Sequence, residues 1–208
     1  VLKQSALDSV KQLTQGEQVL AKEAQAESYQ EEGNKKFRLG IDTIYCYKLK
    51  VDNDKLLRNI SVFKQTGFKA SAVNPWHSNT SLHKKSEFKF FVDALEKAFQ
   101  HVGLDLILDN LWTTYQKQGE YTGIHNHTSG GVGNKKVPDW SFCYYPEDIK
   151  DTGGLIFHLN YNPTHCITEF PKAGDLYFFK SSVLHSTQPH QGNIPRVCVA
   201  GNLRARHG

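Results

Sequence analysis

The sequence contains no apolar run approaching the ~20 residues that span a bilayer, and no signal-peptide pattern opens it. A membrane-spanning role is therefore excluded from the expectations, and a cytoplasmic protein is expected. It has no CxxC pair. The four cysteines, Cys46, Cys143, Cys166 and Cys198, are widely spaced. That spacing argues against a zinc site and for reduced core thiols. No arginine-rich block occurs, the lysines are scattered and the net charge is only +4. Such a balance does not call for nucleic acid. There is no internal repeat and no low-complexity tract. The chain begins at Val1 rather than Met, so an earlier segment is expected to be missing.

The 208 residues are 38% hydrophobic and 22% charged. That is enough for one packed domain, or one domain with an appendage. We divide the chain at residues 1–34 and 35–208. The first segment is rich in Gln, Ala, Glu and Lys, and Leu2, Ala6, Val10, Leu13, Leu20 and Ala24 recur at helical steps. It reads as a thin amphipathic helical extension, with Gly33-Asn34 as its stop. It would suit a homo-oligomer or another assembly, or would simply be solvated.

Strict alternation from Phe37 to Leu49 predicts a strand over 37–50. Asp52 or Asp54 should cap a helix running to about Gln65. Ser86 should cap a second, whose buried stripe is Phe88, Phe91, Val92, Leu95, Phe99 and Val102. From Leu104 onward short strands are expected at 104–115, 121–127, 140–145, 154–159, 166–170, 175–180 and 196–203. Gly153-Gly154, Asn162-Pro163, Pro171–Gly174 and Gly192-Asn193 punctuate them. Many strands after two helices suggest a mainly β, α+β fold: an antiparallel barrel or sandwich with helices on one side.

The candidate chemistry lies in GEYTGIHNHT, Gly119 to Thr128. On a strand, residues i and i+2 share a face, so His125 and His127 would enter one cavity roughly 7 Å apart at the backbone. Neutral imidazole is the commonest protein ligand for transition metals, but two side chains hold a metal weakly. His185, at the exit of the apolar strand LYFF, is the expected third ligand; His165 and His190 lack that placement. Arg196 follows at the start of the last strand. Its forked guanidinium suits the carboxylate of a metal-chelating anion better than a lysine would.

Five stretches carry a resemblance, in order. They are PWHSNTSLH (Pro75 to His83), NLWTTYQKQGEYTGIHNH (Asn110 to His127), GGLIFHLN, PKAGDLYFFKSSVLHSTQPH and IPRVCVAGN. Together they resemble the Fe(II)/2-oxoglutarate-dependent dioxygenase superfamily, and within it a branch of oxygenases from marine bacteria and their phages. The resemblance covers about Phe37 to Leu203. It implies a double-stranded β-helix, a jelly-roll or cupin-like core, with Fe(II) and 2-oxoglutarate as cofactors. By resemblance His125 takes the first ligand position, His185 the distal one and Arg196 the 2-oxoglutarate clamp. The usual second ligand is a carboxylate; here the position is His127, a pattern that branch often has. The implied activity is hydroxylation coupled to decarboxylation of 2-oxoglutarate with O2, on an unidentified substrate.

An inward tyrosine could donate to the co-substrate's carboxylate, and Tyr121 and Tyr144 are assigned that role; of Tyr144 and Tyr145, one must face the cavity. Trp76 and His77 are candidates for substrate contact. His158 reads as a packed or rim histidine. The stretch between the HNH motif and WSFCYYP, rich in Gly and Lys, reads as a lid. Two rivals share the fold. One is a structural or binding module, phage-associated and virion-bound, with a non-catalytic metal. The other is a cupin-like dioxygenase using three histidines without 2-oxoglutarate. Gly119 with the HNH pair matches the opening of a cupin motif, but the cupin glutamate is absent.

Overall fold

The computed structural model describes residues 29–31, 34–40, 42–64, 68–69, 75–128, 137–148, 150–159 and 162–206. The expected helical extension over 1–34 lies outside these, apart from Tyr29–Glu31 and Asn34, which are strand. The proposed lid also lies outside them over 129–136. In chain order the elements are β1 (Tyr29–Glu31), β2 (Asn34–Leu39), β3 (Asp42–Lys48), α1 (Asn53–Phe63), β4 (Phe68–Lys69), β5 (Trp76–His77), α2 (Lys89–His101) and β6 (Leu106–Gln116). There follow β7 (Trp140–Tyr144), β8 (Leu155–Leu159), β9 (Asn162–Glu169), β10 (Asp175–Lys180), β11 (Leu184–Thr187) and β12 (Arg196–Ala205).

Two antiparallel sheets form the body. The larger runs β1-β2-β3-β10-β7-β12-β6-β5-β4 and the smaller β11-β8-β9. With the helices packed on the large sheet this is the expected α+β, double-stranded β-helix arrangement. The central strands β7, β10 and β12 are covered on both faces, so they read as nearly continuous apolar runs. Their alternate residues enter two separate cores. Phe142, Tyr144, Leu176, Phe178, Val197 and Val199 face the helices, against Leu56, Ile60, Phe91, Leu95 and Phe99. Cys143, Tyr145, Tyr177, Phe179, Cys198 and Ala200 face the small sheet, against Leu155 and Phe157.

Local chemistry explains most boundaries. Asp52 caps α1, accepting from the Lys55 N–H at 2.8 Å. The expected Ser86 cap is not formed. Ser86–Phe88 is a 3-10 turn, Phe88 stands at the α2 N-cap with no side-chain cap bond, and Ser86 Oγ turns to Glu87 instead. The expected single strand over 37–50 is a hairpin. Leu39 pairs with Asp42, and Gly40 makes the turn at φ 63, a conformation open to glycine without a Cβ penalty. The phase of the buried residues changes across it, from Phe37 and Leu39 to Ile44 and Cys46. β9 starts at Asn162, so Asn162-Pro163 lies within a strand and does not end one. That strand is one of the two edges of the small sheet, where proline is tolerated. Cys46, Cys143 and Cys198 are buried free thiols, whereas Cys166 is exposed. Among the described residues no helix is long and apolar enough to cross a membrane.

Candidate metal and co-substrate site

Between the two sheets lies a cavity of about 530 Å³, counted with its open mouth. Residues 121–127 run along its rim but do not form the expected strand. They meet β11 through one isolated bridge, His125 to His185, with N–H···O bonds of 3.0 and 2.9 Å. Flanking bonds from Thr187 N–H to Thr122 (3.0 Å) and from His127 N–H to Ser181 (2.9 Å) keep the segment alongside β11 without a regular ladder. The bridge places the first and third candidate ligands directly opposite each other.

The three rings converge. Centroids lie 4.2 Å apart for His125–His185, 5.1 Å for His127–His185 and 5.2 Å for His125–His127. One nitrogen from each ring lies within 4.8 Å of the others, near enough for a single ion to draw them together. Each ring is also oriented from behind. His125 Nδ1 donates to the Gly123 carbonyl at 2.9 Å and His185 Nδ1 to the Val183 carbonyl at 3.0 Å. His127 Nδ1 donates to Asn202 Oδ1 at 2.5 Å. Carbonyl oxygens only accept, so these bonds put the proton on Nδ1 and leave the Nε2 lone pairs for a metal. Burial pushes all three imidazoles below their ordinary pKa, His127 to about 4, and so favours the neutral, ligating form. The residues present therefore fit a transition-metal ion with nitrogen ligands.

Supporting groups complete the histidine end. Asn202 Oδ1 also accepts from Ser141 Oγ at 2.9 Å, and Ser141 Oγ lies 2.8 Å from Ser181 Oγ. Phe179 packs edge-on against His185 at 4.8 Å, and Trp112 lies 5.7 Å from His127.

Arg196 is 2% exposed. Its Nε donates to Gln116 Oε1 at 2.6 Å, and its Nη1 donates to Thr152 Oγ1 at 3.1 Å and to the Gly153 carbonyl. Nη2 is buried with no hydrogen-bond partner. Among the described residues no carboxylate pairs with this guanidinium. A buried cation without a counter-ion is costly, so the arrangement fits a small anion as the missing partner. A hydrogen bond from Cys143 and the Arg196 charge both pull the Cys198 thiol down. Cys143, Tyr145 and Cys198 line the same cavity as the histidines. Gly153 sits where a Cβ would lie 2.5 Å from the Gln188 carbonyl, so any larger residue would shift the loop that grips Arg196.

The other sequence candidates divide. His77 lines the cavity, half-buried. Trp76 is absent from the lining; its backbone pairs with Tyr115 on the neighbouring strand β6. Tyr121 is 36% exposed and lies off the lining. Tyr144 faces the opposite way, donating to Asn53 Oδ1 at 2.6 Å and packing on Phe91. Strand alternation gives the inward place to Tyr145 instead. His158 is buried, with Nε2 2.8 Å from Ser186 Oγ. His190 is buried and bonds the Ile194 carbonyl at 2.6 Å; His165 is exposed. Sequence reasoning missed Asn202, Ser141 and Gln116. Counting by twos from Arg196 along the last strand would have found Asn202.

Residues 110–202, which hold the three histidines, Gln116 and Arg196, match the family described as "Putative 2OG-Fe(II) oxygenase". No curated protein matches the chain. Among solved structures, a prolyl-4-hydroxylase from Pseudomonas putida is similar at 16% identity and TM-score 0.61, covering 78% of this chain and 92% of that one. The viral collagen prolyl hydroxylase of Paramecium Bursaria Chlorella virus-1, determined as a 2OG complex, is similar at 13% identity and TM-score 0.60, covering 78% and 96%. The alpha ketoglutarate dependent epimerase SnoN from nogalamycin biosynthesis is similar at 13% identity and TM-score 0.64, covering 79% and 78%. The chain thus shares the fold of these solved structures, and the segment matched by the family model contains His125, His127, His185 and Arg196.

Proposed function

We propose that the protein is an Fe(II)- and 2-oxoglutarate-dependent dioxygenase that acts as a hydroxylase. When bound, iron and 2-oxoglutarate supply the hard chemistry: with O2 the co-substrate becomes succinate and CO2, and one oxygen atom enters a C–H bond. The chain supplies position, charge and a dry cavity. His125, His127 and His185 would hold the ion through Nε2, with Gly123, Asn202 and Val183 fixing the rings from behind. Three neutral imidazoles add no negative charge, so the ion keeps its full charge for an anionic chelator. Arg196 would receive the far carboxylate of 2-oxoglutarate on Nη2, its other nitrogens being already engaged. Tyr145, inward on the same side, replaces Tyr144 as the candidate second donor. His77 would face the hydroxylated substrate.

One observation carries this reading: a buried guanidinium with an unpaired Nη2 is tied through Nε to Gln116, which lines the cavity where the three imidazoles converge. A structural module with a stabilising metal has no use for that cation. Neither has a cupin-like dioxygenase that works through three histidines alone. The test is anaerobic addition of Fe(II) and 2-oxoglutarate, which should give a weak visible charge-transfer band, with succinate released once air is admitted. His185→Ala should abolish both. Arg196→Ala should keep the metal and lose the response to 2-oxoglutarate. A wild-type protein that holds iron yet gives neither band nor succinate refutes the proposal.

A further inference from the structure

Gln116 ends β6 and is 2% exposed, beside the first residue of β12. It bonds in two directions. Its Oε1 accepts from Arg196 Nε at 2.6 Å. Its Nε2 donates to Thr122 Oγ1 and to Thr187 Oγ1, both at 3.1 Å. Thr187 Oγ1 also accepts from the Thr122 N–H at 2.9 Å. Thr122 leads directly into the segment carrying His125, and Thr187 follows His185 on β11. One buried amide therefore touches the arginine, the HNH segment and the strand of the third histidine.

The choice of an amide has an electrostatic consequence. Arg196 Nε can only donate, so its neighbour must present an acceptor. A glutamate would meet that need with equal reach, and the two threonine hydroxyls could turn to donate to it. It would also cancel the guanidinium's charge inside the protein, where an ion pair is strong. Glutamine accepts the hydrogen bond and leaves the charge for a ligand. The bonds to Arg196 match that logic: Nε and Nη1 are held by uncharged acceptors, and Nη2 is left open.

We infer that Gln116 is a positioning residue that aims Arg196 at a ligand carboxylate while preserving its charge, and that sets the site's preference for a dicarboxylic 2-oxo acid over a monocarboxylic one. This rests on the oxygenase reading above and adds to it the origin of co-substrate selectivity.

The test is calorimetric titration of the Mn(II)-loaded protein, without O2, using 2-oxoglutarate and pyruvate as paired probes. Pyruvate offers the same chelating end and lacks the distal carboxylate. Wild type should bind 2-oxoglutarate about 30-fold or more tighter than pyruvate, the value of one charge-assisted pair. In Gln116→Glu that ratio should collapse to within about threefold, while pyruvate and Mn(II) affinities stay within about threefold of wild type. A distorted site would weaken both probes together and leave the ratio standing; that result overturns the inference. Should Gln116→Glu fail to fold, Thr187→Val releases one anchor of the amide and should lower the ratio about fivefold. Thr187→Ser, which keeps the hydroxyl, should restore it; an unchanged ratio in Thr187→Val again overturns the inference. If loaded wild type binds neither probe, the oxygenase reading itself falls, a result separate from a selective wild type with unaltered variants.

Discussion

The two faces of the β7, β10 and β12 sheet are built from the same strands by alternate residues, yet they differ completely in chemistry. Toward the helices stand Phe142, Tyr144, Leu176, Phe178, Val197 and Val199, packed in one core with residues of α1 and α2. Toward the small sheet stand Ser141, Cys143, Arg196, Cys198 and Asn202, and of these Cys143 and Cys198 line the cavity. The first face contains one polar handle, the Tyr144 hydroxyl, and it is satisfied by Asn53. The second holds a buried nitrogen on Arg196 with no partner. Phe142 and Arg196 are both deeply buried, so burial alone does not distinguish stability from function. Unfulfilled hydrogen-bonding capacity does.

Mutations should separate the faces. Phe178 stacks on Tyr45 at 4.8 Å and meets Phe99 at 5.5 Å. Phe178→Ala should cost about 3–5 kcal/mol of stability in denaturant melts and leave Mn(II) affinity of the folded protein unchanged. On the other face, His185→Ala should lower Mn(II) affinity by at least ~100-fold while moving the metal-free melting point little. Asn202→Ala removes the acceptor that orients His127 and should cost roughly tenfold in metal affinity, the usual size for such support. A large stability loss in His185→Ala without loss of metal binding would break the division.

The contrast also explains what the sequence made legible. The order of His125, His127, His185 and Arg196 was readable because ligand types and strand exits are local features. An antiparallel β body with helices on one side was readable from strand length and turn residues; the double-stranded β-helix came from the family resemblance. The inward tyrosine was not: on a strand buried on both sides, both phases are apolar, and neither Tyr144 nor Tyr145 looks more interior. The supposed HNH strand failed for a related reason. The shared direction of His125 and His127 comes from one bridge to His185 and from bonds behind the rings, not from a regular ladder. The hairpin at Gly40 was hidden because alternation continued through the turn. Gln116 was invisible because its role depends on Arg196, Thr122 and Thr187 being brought together by folding.

The finest division lies between two adjacent tyrosines. Tyr144 donates to Asn53 on the helix side; Tyr145 lines the cavity next to Cys143 and Cys198. Tyr144→Phe should therefore lower stability by about 1 kcal/mol with no change in 2-oxoglutarate affinity of the Mn(II)-loaded protein. Tyr145→Phe should do the reverse, weakening 2-oxoglutarate about fivefold while its effect on the melting point stays small. Each variant loses one oxygen atom, at adjacent positions, so any general loosening of β7 would affect both measurements in both variants. If Tyr144→Phe weakens the co-substrate and Tyr145→Phe does not, the assignment of faces along this strand is inverted, and Arg196 loses its neighbouring hydroxyl donor.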